Sequence, residues 1–278
     1  PEEQKKSATV LAAEADDRIR ARVAKQSTLP ENLKELSNAH ADMLFIPDGP
    51  FVKGRLKQEP MHRKVMRPKV GKDGKAVEAN GKPVLEQTGQ RKPVASQSEP
   101  LHQVIKVPGF YIDRYEFPNQ LLDGSGAPNM PTRKVTWQQA ADSCEDRGKR
   151  LCTEEEWEKA CKGPENEVYG YLPGNAYDLE KCGNGVDEIH HLGQMEECVS
   201  GYGVADMSGN IREWTASQPG AKEGRRLVKG GLRSNNERGS RCAYANDERE
   251  NYSDHTMGFR CCLSLADAST DKGDDAAK

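Results

Sequence analysis

The chain has little from which to build an extensive core. Over 278 residues only 35% are hydrophobic and 6% aromatic, so sizeable irregular segments are expected beside any folded part. No apolar run approaches the length of a membrane span, and Pro1 opens no signal-like apolar stretch. An upstream lipid anchor is compatible with such a start. No aromatic residue lies between Phe51 and Phe110, which argues against a base-stacking platform and a nucleic-acid partner. Missing as well are G-x-S-x-G, a phosphate-binding glycine loop and H-E-x-x-H, and with them three common enzyme chemistries. Cysteine is absent from the first half altogether.

What is there is concentrated downstream. All eight cysteines fall between Cys144 and Cys262. An even number confined to the segment with the clearest folding signals, without paired C-x-x-C knuckles, points to disulfides rather than zinc. Disulfides in turn imply an extracytoplasmic location: periplasm, outer-membrane surface or secreted.

Local patterns divide the chain. Residues 1–40 read as a polar, helix-prone arm with a thin apolar stripe of Val10, Leu11, Ile19 and Val23. MLFIPDGPFVKG (Met43 to Gly54) reads as a buried strand with a turn inside it. From Lys53 to Lys106 runs a basic insertion, with thirteen Lys or Arg against five Asp or Glu. Within it Asp73-Gly74 and Asn80-Gly81 are hairpin turns. IKVPGFYIDRYEFPNQ is a second strand. Two helices follow, each opening on a capping box: Thr136 with Gln139, then Thr153 with Glu156. The first ends near Gly148. The second carries Glu154 to Glu156 in its first turn, where the helix dipole favours negative charge, and sets Trp157, Ala160 and Cys161 on one face. The stretch from Lys162 to Gly203 is long, polar and glycine-rich, and needs a staple or a metal to hold it. LVKGGL, RCAYAN and GFRCCLSL read as strands. Residues 264–278 form an acidic tail.

Six of these segments, in order, carry a family resemblance: IPDGPFVKG, VPGFYIDRYEFPNQ, VTWQQAADSCEDRGKRLCTEEEWEKACKG, GYGVADMSGNIREW, LVKGGLRS and MGFRCC. The chain resembles the formylglycine-generating enzyme, or sulfatase-modifying factor, family over residues 41–263 apart from the basic insertion. The resemblance implies an α+β fold, a disulfide-stapled variant of the C-type lectin fold with little regular secondary structure. It implies pairing of Cys144 with Cys261 and of Cys161 with Cys242. Cys182 with Cys198 and Cys152 with Cys262 are the remaining pairs, and exchanging the partners of Cys261 and Cys262 is the alternative. It also implies a calcium site at Asp206, the carbonyls of Gly209 and Ile211, and Glu213, with a second site near Asn184. Hard oxygen donors, some from the backbone, suit calcium.

Catalytic members of the family hold copper on two cysteines just after their KGGS element. Here no cysteine stands between Gly231 and Cys242, Leu232 replaces the serine, and Arg212 replaces the first tryptophan of WEW. Cu(I) needs soft sulfur ligands, so no copper is expected. No iron is expected either: the six histidines, His40, His62, His102, His190, His191 and His255, form no helical H-x-x-x-H pair in the arm. The expectation is a pseudoenzyme with no catalytic residues, acting as a binding or scaffold subunit of a bacterial envelope assembly. Its partner, a protein or a glycan, would meet a surface of Arg212, Arg233, Asn235, Asn236, Arg238 and Arg241. The competing readings are a metal-dependent oxidase of the formylglycine-generating or sulfur-chemistry type and a glycan-binding module.

Overall fold

A computed structural model of the chain describes residues 18–23, 42–55, 62–69, 77–79, 82–83, 85–93, 99–119, 129–183, 188–231 and 236–265. Calls on the first seventeen residues, on the acidic tail after Leu265, and on Asn184, Leu232, Arg233 and Asn235 lie outside these, as does the side chain of Asn236.

The first strands are β1 (Met43–Ile46) and β2 (Gly49–Lys53), separated by the Pro47-Asp48 turn. The basic insertion carries β3 (His62–Pro68), β4 (Glu78–Ala79), β5 (Lys82–Pro83) and β6 (Leu85–Pro93). β4 and β5 pair across the Asn-Gly position, and β3 pairs with β6. β7 (Gln103–Val107) returns antiparallel to β2, and β8 (Phe110–Asp113) antiparallel to β1. Then come α1 (Trp137–Glu145), β9 (Arg150–Leu151) and α2 (Glu154–Lys162). After the long loop follow β10 (Arg212–Trp214), β11 (Arg225–Lys229), α3 (Asn236–Gly239), β12 (Asn246–Arg249), β13 (Met257–Phe259) and β14 (Cys261–Ser264). One four-stranded sheet runs β1-β8-β14-β9 and the other β12-β11-β10-β13.

Both principal helices start as their sequences dictate. The Thr136 and Thr153 hydroxyls accept from the backbone N–H three residues on, and Gln139 and Glu156 reach back to complete each capping box. α2 stops at Gly163, which takes φ 65°. Two lysines of its last turn satisfy carbonyls of the segment from Pro47 to Gly54 around β2. Lys159 Nζ donates to Pro47 O and Gly49 O, and Lys162 Nζ to Val52 O and Gly54 O.

Of the apolar clusters among the described residues, two are the largest. In one, Trp157 and Cys161 of α2 meet Leu44, Ile46, Phe110 and Ile112. In the other, Ala140 and Cys144 of α1 meet Trp214, Val228, Met257 and Phe259. Each fully buried large side chain contributes on the order of 2 kcal/mol. Disulfides run through both: Cys144–Cys261 in the second, Cys152–Cys262 and Cys161–Cys242 in the first. Adjacent Cys261 and Cys262 serve opposite clusters because strand neighbours point to opposite faces. Cys182–Cys198 closes the long loop.

Three strand expectations differ. IKVPGFYIDRYEFPNQ holds two strands in different sheets, β7 beside β2 and β8 beside β1. GFRCCLSL is two strands in different sheets, with Arg260 between them, because that side chain turns inward to an acidic partner. RCAYAN is mostly turn, and the strand begins only at Asn246. Cys242 and its neighbours are drawn down to α2 by the Cys161 bridge instead of running in a sheet.

Candidate functional site

The DMSGNIREW segment forms a tight turn leading into β10. Asp206 and Asn210 adopt left-handed backbone, φ 61° and 54°, which short polar side chains tolerate best after glycine. Both side chains then reach across to the disulfide-closed loop. Asp206 Oδ2 accepts from Gly193 N at 2.8 Å, and Asn210 Oδ1 from His190 N at 2.8 Å. Asn210 Nδ2 donates to Glu116 Oε1 at 3.0 Å.

Beneath the turn lies a buried charge cluster. Glu213 accepts from two nitrogens of Arg260, Nε to Oε2 and the terminal NH2 to Oε1, each at 2.7 Å. The Trp157 indole adds a third donor at 2.8 Å. Arg260 also donates to carbonyls of Asp113, Arg114 and Ala205, tying both sheets to the turn. Glu116 is 1% exposed, and among the described residues its Oε2 has no hydrogen-bond partner. Burial, then the neighbouring Asp206 charge, holds the Glu116 carboxyl well above its ordinary range. Burial likewise pushes Asp206 up to about 6, against the pull of the Gly193 hydrogen bond and Arg260. Glu213 takes the hydrogen bonds of the guanidinium, while Glu116 and Asp206 feel Arg260 only as a nearby charge.

The family's calcium set can be tested against these atoms. A Cβ on Gly231 would stand 3.6 Å from Gly209 O and 3.5 Å from Ile211 O. One on Gly230 would stand 3.0 Å from Ile211 O and 3.8 Å from Glu213 Oε1. The two carbonyls therefore face one small space that the glycine pair keeps open, and Glu213 borders it. Glu213 Oε1 keeps a second lone pair beyond Arg260, and Asp206 has an oxygen beyond the Gly193 bond. The two carbonyls and Glu213 are hard oxygen donors of the kind calcium takes. Among the described residues no three Asp, Glu, His or Cys side chains converge as a metal cage, and this set, half backbone, needs only two.

The sheet's other face carries Arg212. It is 9% exposed. Its guanidinium donates to Glu248 at 3.1 Å and Asp254 at 2.7 Å, its Nε to Thr256 Oγ1 at 3.2 Å, and it lies over the Tyr252 ring. Arg212 is therefore spent within the chain and is not a free surface donor, which corrects the expectation for that residue. Both partners lie downstream, on β12 and the turn after it. Arg238 and Arg241 approach the buried Glu99 at 3.7 and 3.8 Å, Arg241 also pairs with Glu237, and Arg238 lies over Tyr244. Arg212 is thus not brought together with Arg238 and Arg241. All eight cysteines are consumed in the four disulfides, in the pairs the resemblance implies.

Sequence reading missed Glu116 and Arg260. A signal was available for Arg260, a lone charge in MGFRCCL, but not for Glu116, which follows Asp113 and Arg114 in IDRYEFP.

A disulfide-stapled pair of small sheets with little helix, and a DxxGNxxEW turn feeding a KGG element, define the class. Residues 28–265 match the sulfatase-modifying factor enzyme 1-like domain, and the chain belongs to that family. It is 31% identical over 156 residues to the inactive C-alpha-formylglycine-generating enzyme 2 of Mus musculus, covering 49% of each chain. It is 30% identical over 126 residues to the formylglycine-generating enzyme of Thermomonospora curvata, covering 40% of this chain and 41% of that one. The chain spans about half the length of the curated relatives it matches. The structure of PvdO from Pseudomonas aeruginosa shares the fold, with TM-score 0.53 and 16% identity over 82% of this chain and 97% of that one.

Proposed function

We propose that this chain is a non-catalytic binding or scaffold protein that works outside the cytoplasm, as a subunit of a bacterial envelope assembly. The observation that carries the reading is the fate of the sulfur. Every cysteine is bridged, the segment after the KGG element has none, and Cu(I) chemistry has no thiolate pair to use. The Arg212 ion pairs support it, since they fill the position where the family's catalytic members carry tryptophan. The inactive mammalian relative shows that the family includes members described as inactive. Four disulfides suit an oxidising compartment.

The calcium that the family uses would be held here by Asp206, the carbonyls of Gly209 and Ile211, and Glu213. It would supply positive charge to a cluster that is short of it, bracing the turn and the loop hung from it. The second site near Asn184 stays part of the proposal. The partner would meet residues 232–241 through Arg233, Asn235, Asn236 and the outward parts of Arg238 and Arg241, on the rigid base that disulfides provide. The arm, residues 1–40, and the basic insertion are docking elements in this reading, and residues 41–263 the domain.

Alkylation of the unreduced, denatured chain tests the reading. Mass analysis should find no modified cysteine. A reactive pair of thiols would contradict it.

A further inference from the structure

We propose that a cavity between the start of α2 and the outer strand β12 is a binding site for an uncharged oligosaccharide. The cavity measures about 610 Å³, within the usual range for small-molecule sites. It lies on the opposite side of the β12-β11-β10-β13 sheet from Arg212. Glu213 pairs with Lys229 across the sheet and Leu227 with Asp247. Side chains alternate along a strand, so Leu227 and Asp247 share the α2-facing side and Arg212 does not.

Its charges settle what it can hold. Lys53 Nζ donates to Glu154 and Glu155. Asp247 receives Arg225, with Lys222 at 3.4 Å. Each charge at the wall already faces its opposite: Lys53 is shared by Glu154 and Glu155, and Asp247 is held by Lys222 and by Arg225, which lies outside the wall. An anion entering would meet Glu154, Glu155 and Asp247, and a cation would meet Lys53 and Lys222. Neither gains a free counter-charge, and both lose water. An uncharged guest avoids that cost.

The remaining wall is suited to hydroxyl groups beside short apolar faces. Gln218, at an exposed position, offers an amide donor and acceptor. Pro219 and Leu227 add apolar surface, against which the C–H face of a pyranose can rest. An extended peptide is the other uncharged polar guest, and it would bind by adding a strand to β12. That edge is blocked. Leu227 N donates to Ser217 O and Thr215 N to Leu227 O, so the peptide groups of Leu227 point to β10 and those of its partner Asp247 point outward. The outward carbonyl of Asp247 already accepts from Arg225 NH2. Charged side chains that cover an edge in this way oppose strand addition.

The site needs no metal and no catalytic residue, so it stands apart from the function proposed above. The test is a titration of the full ¹⁵N-labelled chain, following amide shifts, with maltotriose, cellotriose and chitotriose. One of the three should produce saturable shifts centred on residues 217–220 and 245–247, with a dissociation constant of about 1 mM. Gln218→Ala, at an exposed position, should weaken that binding about tenfold. Tyr252→Phe, on the opposite face, should leave it unchanged. Absence of saturable shifts with all three sugars would overturn the proposal. So would shifts insensitive to Gln218→Ala, or tighter binding of a sulfated trisaccharide than of any neutral one.

Discussion

Arg260 and Glu213 form an ion pair whose side chains are both fully buried, and it is the residue on which the turn depends. Removing one member of such a pair strands the other charge. Arg260→Met should therefore cost about 3–5 kcal/mol in urea unfolding. A loss under about 1 kcal/mol would mean water or a rearrangement satisfies Glu213. Asp254 makes a milder prediction. Burial pulls its carboxyl upward, but hydrogen bonds from Thr256 and Tyr252, with Arg212, hold it down at about 2, against an ordinary 3.8. A depressed folded pKa gives stability that is present above pH 3.8 and lost as pH falls through about 2. Wild type should melt above Asp254→Asn at pH 5, and the gap should close between pH 4 and pH 2. A gap that stays constant across that range would contradict the pairing. Arg212 itself was only half legible. Its replacement of tryptophan was plain in the sequence, but its acidic partners lie 36 and 42 residues away, and no local pattern reports a contact so distant.

Among elements, the helices were the most legible because their signals are local. Thr136 with Gln139 and Thr153 with Glu156 fix two starts within four residues each, and burial of Trp157, Ala160 and Cys161 follows from helical spacing. The strands at the end were less so. Nothing in GFRCCLSL announces that Arg260 divides it between two sheets, since that is decided by Glu213 far upstream. The turn between Asp206 and Glu213 carries the element-scale prediction. Calcium at a hundredfold excess over its dissociation constant stabilises by about 2.7 kcal/mol. That corresponds to a rise of roughly 5–10 °C in Tm for a domain of this size. Chelation should reverse the rise, and Asp206→Ala should abolish it. A melt indifferent to calcium and chelator would remove the ion from the account.

At the scale of the whole molecule, disulfides replace what composition withholds. With 6% aromatic residues the clusters are small, and bridges spanning 81, 110 and 117 residues each remove on the order of 4 kcal/mol of unfolded-chain entropy. The cross-links that hold the fold also use every thiol that could have served as a thiolate ligand for copper. The order of the six motif segments made the fold readable, whereas function had to be argued from what stands in the catalytic position. The most direct measurement is to load the purified chain with Cu(I), supply oxygen and a cysteine-bearing peptide, and look for aldehyde by mass spectrometry. The account predicts unmodified peptide at every time point. Formylglycine above the level of a no-protein control would contradict it.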